Sequence, residues 1–291
     1  MQKIIIKIMK FFRNLFNQQQ KIELKTIEYE PFEEDIKPKN PRPKKPKNKW
    51  SDLKPFDKRF FKKVNFPKEH YFQAIHPKNQ IVLHHTVSGK GISGDINTWL
   101  STSSRIATTI IIDHDGVAHK CFPYTEWAHH LGVRQDFLRN RGFSDWQTRN
   151  TVLNRESIAI EIDSWGGLVL GDGTVKRFGD RNVTTQVGKY YAAYGNVVDV
   201  PVVHYPNGYR GYHYYEKYTD EQIKCTGQLL LLWNKEFNIP LDYFENMWEV
   251  NNDALGGKRG IWSHTSYRQD KSDIHPDPDL VEMLKTLKDL V

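Results

Sequence analysis

Three stretches of the sequence combine imidazole and carboxylate side chains with apolar runs that predict β-strands. These stretches are LHHT at 83–86, IEID at 160–163, and SH at 263–264 with DKSDIHP at 270–276. Imidazole nitrogen and carboxylate oxygen suit Zn²⁺, and a catalytic zinc site takes three protein ligands and keeps one position for water. The candidate ligands are His84, His85, His264, Asp273 and His275. No HExxH motif chooses among them, and each histidine could instead be an ordinary hydrogen-bonded residue, so the residue types leave the ligand set open.

The segments around these stretches predict interleaved strands and helices. Short β-branched runs predict strands at 81–83, 110–112 and 157–162. Apolar residues at helical spacing predict helices at 94–101, 219–237 and 279–290. Thr219 and Gln222 have the spacing of a capping box, and Asn238 is expected to end the second of these helices. The pattern predicts an α/β or α+β domain with a central mixed sheet flanked by helices.

The composition is that of a globular protein with a sizeable core. The chain has 291 residues, of which 38% are hydrophobic and 13% are aromatic, and these values exclude wholesale disorder. The chain contains no apolar run of about 18 residues, so no transmembrane helix is predicted. Cys121 and Cys225 are too few for a disulfide scaffold or a four-thiolate zinc site.

The positive charge of the chain is concentrated in residues 37–63. This segment contains twelve lysines and arginines and two acidic residues, so it carries +10, whereas the whole chain carries +7 and the remainder therefore −3. Such a basic arm can be a solvated spacer, or it can bind an anionic polymer, a membrane surface or an acidic partner. Because no base-reading motif accompanies the arm, the sequence predicts no specific nucleic-acid binding.

The sequence divides into three regions. Residues 1–36 form a polar segment whose first part, 1–16, predicts a short basic amphipathic helix. We do not expect a secretory signal there, because charged residues interrupt the apolar stretch and no small-residue cleavage site follows. Residues 37–75 are interpreted as a basic proline-rich linker and an adapter, which extend the N-terminal arm. Residues 76–291 are interpreted as the main domain, with an insertion at about 165–218.

Five motifs give the main domain a resemblance to a known family. They are IVLHHT at 81–86, IIIDHDG at 110–116, WAHHLG at 127–132, SIAIEID at 157–163 and HTSYRQDKSDIHP at 264–276. With these motifs in the same order, the chain resembles the type 2 zinc amidases. These are N-acetylmuramoyl-L-alanine amidases, related to T7-type phage lysozymes and to peptidoglycan recognition proteins. The resemblance implies the fold of that superfamily and hydrolysis of the amide that joins N-acetylmuramic acid to L-alanine in peptidoglycan.

The resemblance also implies roles for individual residues. The implied zinc ligands are His84, His264 and Asp273. Glu161 would take the proton of the attacking water, and Lys271 would stabilise the negative oxygen of the tetrahedral intermediate. His85 would lie behind the ligands or turn into the core. His275 would lie near the ligands without being one of them. Some relatives carry a tyrosine just before the IIID-like strand, where this chain has Thr108. Because a tyrosine cannot assist catalysis there, Glu161 is expected to contribute more to catalysis than it does in those relatives.

Aromatic and imidazole side chains near the motifs are candidate contacts for peptidoglycan. Trp127 and Trp165 are predicted to stack on sugar rings, and Trp99 is a further candidate. One of the neighbouring His129 and His130 is expected to face the substrate groove, and we select His130. Each tryptophan could instead be an ordinary packing residue.

Two functions are compatible with these motifs. The first is a zinc-dependent peptidoglycan amidase, expected to be a phage endolysin or a virion-associated lysin. An endolysin would stay in the host cytoplasm and then reach the periplasm and cell wall, and residues 1–63 would contact a membrane surface, a virion or a partner. The alternative is a non-catalytic peptidoglycan-binding module of the same fold. Such modules typically lose a zinc ligand, whereas this chain keeps all three.

Overall fold

The computed structural model describes residues 48–291, which form one compact unit. The predictions for residues 1–36, including the helix at 1–16, and for residues 37–47 lie outside the described residues. The strands are β1 Lys62–Lys63, β2 Gln80–His85, β3 Ile110–Ile112, β4 Ala118–Lys120, β5 Ser157–Ile162, β6 Gly167–Leu170, β7 Val175–Phe178, β8 Arg181–Thr184, β9 Tyr190–Tyr191, β10 Val197–Val198, β11 Val202–Tyr209, β12 Tyr212–Glu216 and β13 Gly260–Ser263. The α-helices are α1 Ser93–Leu100, α2 Gln135–Asn140, α3 Arg149–Arg155, α4 Asp220–Phe237, α5 Asn252–Leu255 and α6 Pro278–Thr286. Between residues 48 and 291, the structure contains no helix with the length and apolar character that a membrane span requires.

The central sheet has six strands in the order β1-β4-β3-β5-β2-β13. Strands β3, β5, β2 and β13 are parallel to one another, whereas β4 is antiparallel to β3. This mixed sheet and its flanking helices confirm the predicted fold class. The strands predicted from β-branched runs lie at its centre, where both faces are covered and apolar side chains are favoured.

Different parts of the chain cover the two faces of this sheet. The isoleucines of β5 belong to the main hydrophobic core, which also contains apolar side chains of α4 and α6. Ile111 belongs to a smaller core with Phe66 and Tyr71. Because side chains alternate along a strand, Glu161 points away from the isoleucines of β5 and toward the face of Ile111, its register neighbour.

Helix α4 begins as the sequence predicts. The Thr219 hydroxyl accepts a hydrogen bond from the Gln222 N–H at 3.1 Å, and the Gln222 side chain accepts one from the Thr219 N–H at 3.0 Å. The helix ends at Asn238, which has a left-handed φ of 55°. Cys225 on this helix and Cys121 are both buried and free. The C-terminal helix is shorter than predicted, since α6 ends at Thr286 and a 3₁₀ turn covers Leu287–Leu290.

Residues 51–75, the adapter part of the 37–75 segment, pack on the domain. Strand β1 pairs with β4 and forms the outer strand of the central sheet. Tyr71 stacks on Phe122 with ring centroids 5.0 Å apart. Trp50, which precedes this segment, is buried in the main core. The compact unit therefore includes this segment and begins before residue 76.

The segment 165–218 forms a second, antiparallel sheet of strands in the order β10-β9-β6-β12-β11, together with the hairpin β7–β8. Leu168, Ala192 and Val198 form a small core of its own. The carboxylate of Glu216, at the end of β12, accepts hydrogen bonds from the Ser164 hydroxyl at 3.1 Å and from the backbone N–H of residue 165 at 2.5 Å. This carboxylate anchors the segment to the residues that follow β5.

A charged cluster reinforces this anchor. His114 lies between two carboxylates, with Nδ1 3.0 Å from Oδ2 of Asp163 and Nε2 3.0 Å from Oε1 of Glu216. The hydrogen bonds to Asp163 and Glu216 raise the pKa of His114 to about 9 against the opposing effect of burial. Asp163 also accepts a hydrogen bond from the Gly91 N–H at 2.7 Å. The cluster therefore joins four separate segments of the domain.

We expect the stability of the domain to decrease as the pH rises toward and through about 9, because the His114 pKa is about 9 in the folded state and 6.5 ordinarily. The folded state holds this proton more tightly than the unfolded chain, so the stabilisation is complete below the ordinary pKa and is lost above the raised one. His114→Gln should lower the free energy of unfolding more at pH ~6 than at pH ~9.5. Urea unfolding at the two pH values measures this difference. An equal loss at both would contradict the assignment of the pH dependence to His114.

Candidate active site

The carboxyl ends of three parallel strands, β2, β5 and β13, position the site. His84 in β2 is the register neighbour of Glu161 in β5, so the two side chains point to the same face of the sheet. His264 follows β13 directly, and β13 pairs in parallel with β2. Because the carboxyl ends of parallel strands meet at one edge, two histidines 180 positions apart in the chain come into contact. Asp273 comes from the loop between β13 and α6.

His84, His264 and Asp273 bring three metal-binding atoms together. Nδ1 of His84 lies 3.0 Å from Nδ1 of His264. Oδ2 of Asp273 lies 2.7 Å from Nδ1 of His264 and 3.3 Å from Nδ1 of His84. Tetrahedral ligands at about 2.0–2.2 Å from Zn²⁺ are separated by roughly 3.3–3.6 Å. The longest of the three separations reaches this range, and the other two would have to widen by a few tenths of an ångström around an ion. All three side chains are buried, and this convergent donor set fits a zinc ion.

The other two candidate histidines bond elsewhere. Nδ1 of His85 lies 2.7 Å from the hydroxyl of Tyr218. His275 donates from Nε2 to the backbone oxygen of Glu216 at 3.0 Å, and its Nδ1 accepts from the hydroxyl of Tyr205 at 2.8 Å. These bonds occupy both nitrogens of His275 and one nitrogen of His85. The geometry thus separates His85 and His275 from the three atoms that converge. It selects among the candidate metal ligands, which the residue types alone did not do.

A cavity of about 180 Å³ adjoins the three clustered side chains. Glu161, Lys271, Thr108 and His130 also line it. The residues predicted to move a proton and to stabilise a negative oxygen therefore share one space with the metal-binding atoms. This arrangement can activate a water molecule beside a polarised carbonyl group.

The model of one protein family, described as N-acetylmuramoyl-L-alanine amidase, matches residues 75–278 of the chain. The chain belongs to this family. The resemblance drawn from the five motifs is thus confirmed, and so is the predicted enzyme class. No curated protein sequence matches the chain significantly.

Several solved structures are similar to this amidase at low sequence identity. The endolysin amidase LysCS from Clostridium intestinale URNW is 13% identical, with 75% of this chain and 88% of that chain covered and a TM-score of 0.36. PlyL is 14% identical, with 78% and 96% covered and a TM-score of 0.39. An AmpD derivative is 13% identical, with 78% and 94% covered and a TM-score of 0.41. The identification comes from the family match alone.

Glu161 of the amidase is a buried carboxyl group. Burial raises its pKa well above the ordinary value, and the negative charges of Asp273 and Asp95 raise it further, whereas Lys271 opposes the shift. A carboxylate whose pKa is raised is a stronger base and can return the accepted proton to a leaving group. Thr108, at the position where some relatives have tyrosine, forms a hydrogen bond with Glu161 that also opposes the shift.

Two of the clustered side chains, His84 and Asp273, have the protonation states that metal binding requires. Burial and the neighbouring His264 lower the pKa of His84 to about 4. Burial disfavours the ionised form of Asp273, but His264 and His84 outweigh it and hold the pKa of Asp273 well below the ordinary value. Near neutral pH, the amidase therefore has a neutral imidazole at His84 and a carboxylate at Asp273, which are the ligand forms.

The tryptophans predicted to contact substrate occupy different environments. Trp127 is buried and stacks on Phe72 with ring centroids 3.9 Å apart. Trp165 packs against the small core of the 165–218 segment. Trp99, by contrast, lines the cavity. The sugar contacts of Trp127 and Trp165 stay predictions, and this placement supports Trp99 more directly.

His130 was predicted to face the substrate, and it does line the cavity. Its ring nitrogens, however, bond inside the protein, with Nδ1 3.1 Å from Nε2 of His84 and Nε2 2.7 Å from Oγ of Ser157. Sequence reasoning missed both contacts. The WAHHLG motif directed attention to this imidazole, but no local pattern indicates which distant side chains it meets.

Proposed function

We propose that the chain is a zinc-dependent peptidoglycan amidase that acts as a phage endolysin or a virion-associated lysin. Its substrate would be peptidoglycan, on which this family acts, and the amide between N-acetylmuramic acid and L-alanine would be cleaved. The main support for zinc is the convergence of His84, His264 and Asp273, whose ligand atoms lie within 3.3 Å of one another. The intact ligand set argues against the non-catalytic binding module.

The proposed chemistry is divided between the metal and two side chains. Zn²⁺ held by the three clustered residues would supply Lewis acidity, which polarises the scissile carbonyl and lowers the pKa of water. Glu161 accepts the proton of the attacking water and returns it to the leaving amine. Lys271 donates hydrogen bonds from its ammonium group to the oxygen that becomes negative. Both side chains line the same cavity as the cluster.

Mass analysis of purified peptidoglycan after digestion tests this proposal. The expected products are stem peptides with a free L-alanine amino group and glycan strands without peptides. A chelator should abolish their release, added Zn²⁺ should restore it, and the purified protein should contain about one zinc ion per chain. Release of peptides still linked to sugar, or full activity in chelator, would contradict the proposal.

The lysin setting is supported by the resemblance to T7-type phage lysozymes and by the basic character of residues 37–63. In this proposal residues 1–63 contact a membrane surface, a virion or a partner, and the enzyme reaches the cell wall from the host cytoplasm or on a particle. The segment to delete is 1–47, because Trp50 is buried in the core and Asn48 donates a hydrogen bond to Thr286. The shortened chain should hydrolyse isolated peptidoglycan normally but lyse host cells more slowly. Equal rates of host-cell lysis by the shortened and the full chain would contradict the proposed contact role of the arm.

A further inference from the structure

The hydrogen bonds behind His84 form a chain that runs away from the metal-binding atoms. Nε2 of His84 lies 3.1 Å from Nδ1 of His130, and Nε2 of His130 lies 2.7 Å from Oγ of Ser157. Oγ of Ser157 lies 2.7 Å from the backbone oxygen of Leu153 and 3.3 Å from that of Asn154. Every member is thus bonded to the next.

The direction of every bond in this chain follows from its last member. A carbonyl oxygen can only accept, so the single hydroxyl proton of Ser157 must point toward Leu153. Oγ of Ser157 therefore accepts from Nε2–H of His130. In a neutral imidazole the other nitrogen is an acceptor, so Nδ1 of His130 accepts from Nε2–H of His84. Nδ1 of His84 is left with a free lone pair, and it is this atom that faces His264 and Asp273.

The second histidine of the cluster, His264, is fixed by Leu131, the residue that follows His130 in the chain. Nε2 of His264 donates to the backbone oxygen of Leu131 at 3.0 Å, so the lone pair of the neutral imidazole lies on Nδ1. The loop is held by Asn154, whose Oδ1 accepts from the N–H of His130 at 2.7 Å and from the N–H of Leu131 at 3.0 Å. Asn154 is fully buried. Residues 130 and 131 thus support both imidazoles of the cluster.

We propose that His130, fixed by Ser157, is a positioning residue that holds His84 in the tautomer and ring orientation needed to bind the metal through Nδ1. This inference rests on the proposed zinc site and adds to it a residue that is not a ligand. Metal-binding histidines generally donate their second N–H to an acceptor, and loss of that acceptor lowers metal affinity by about 10–100-fold. In most such sites the acceptor is a carboxylate, a backbone oxygen or water, whereas here it is a second histidine.

Two substitutions at position 130 distinguish the effect of losing the hydrogen-bond acceptor for His84 from the effect of changing the size of the side chain. In His130→Asn, the amide oxygen can take the place of Nδ1 and accept from His84. In His130→Gln, the longer amide reaches toward Ser157 and leaves Nε2–H of His84 without its acceptor. We expect His130→Gln to weaken zinc binding by about 10–100-fold and His130→Asn to stay within a few-fold of wild type. Competition with a chromophoric chelator measures the zinc affinity.

His129→Gln is the matched control, because His129 is the adjacent histidine and packs on Trp127 and Phe72 instead of His84. Its zinc affinity should be that of wild type. Ser157→Ala provides a second approach should His130→Gln fail to fold. This variant frees His130 to adopt the other tautomer, and it should also weaken zinc binding. Thermal unfolding of each metal-free variant reports whether it is folded.

Nitrogen NMR of the imidazoles in the metal-free wild type gives a readout that is independent of catalysis. The expected spectrum has a protonated Nε2 and a bare Nδ1 at His84. A protonated Nδ1, or wild-type zinc affinity in both His130→Gln and Ser157→Ala, would overturn the positioning role. If His84→Ala abolishes zinc binding while those two variants retain it, the positioning role fails and the proposed function stands. If the wild type binds no zinc, both fail.

Discussion

Glu161→Gln is expected to lower kcat by about 10²–10⁴-fold, the range that general acid–base catalysis contributes. The substitution keeps the size of the side chain and removes only its ability to accept the proton of the attacking water. Zinc content should stay at the wild-type level, because Glu161 is not in the group of metal-binding atoms. Muropeptide release under saturating substrate, with zinc measured on the same sample, gives both quantities.

The same variant should be at least as stable as the wild type. Burial raises the pKa of Glu161 well above the ordinary value, so ionising this carboxyl group in the folded state opposes folding. A neutral amide of equal size removes that penalty, and the melting temperature should be unchanged or higher. A large loss of activity with a lower melting temperature would instead indicate damage to the fold. Wild-type activity in Glu161→Gln would refute the assigned proton transfer.

His84→Ala is expected to abolish both zinc binding and hydrolysis. It removes one of three converging ligand atoms, so the loss of zinc affinity should exceed the roughly 10–100-fold that loss of a residue behind a ligand produces. Zinc at about one hundred times its dissociation constant stabilises a folded protein by about 2.7 kcal/mol. The increase in melting temperature that zinc produces in the wild type should therefore be absent in His84→Ala.

His85→Asn is the matched control for this experiment. Nδ1 of His85 lies 2.7 Å from the hydroxyl of Tyr218, and the asparagine side chain can keep a hydrogen bond at that position. This variant should bind zinc as the wild type does. If His85→Asn loses zinc and His84→Ala retains it, the neighbouring imidazole is the ligand and the assignment must be reversed.

Local patterns were sufficient for several elements of this domain. The alternating isoleucines of 157–162 form β5, and Thr219 with Gln222 starts α4 as a capping box. These signals involve residues only a few positions apart, so they can be read without knowledge of the rest of the chain. No bounds were predicted for strand β13, because Gly260–Ser263 is too short to have a recognisable period. Its place beside β2 depends on pairing with a strand that is distant in the sequence.

The site likewise has features that local sequence patterns predict and features that depend on contacts between distant residues. By itself, the sequence determined that imidazole and carboxylate groups follow predicted strands, and its motifs were enough to indicate the amidase family. The residue types left His84 and His85 equivalent, and the family resemblance implied His84. The tertiary structure shows that His84 meets His264 and Asp273 whereas His85 meets Tyr218, since the two neighbouring imidazoles occupy opposite faces of β2. The support of His84 by His130 was likewise decided in three dimensions. The physical reason is that a hydrogen bond is specified by distance and direction, and two residues far apart in the chain acquire these only when the sheet assembles.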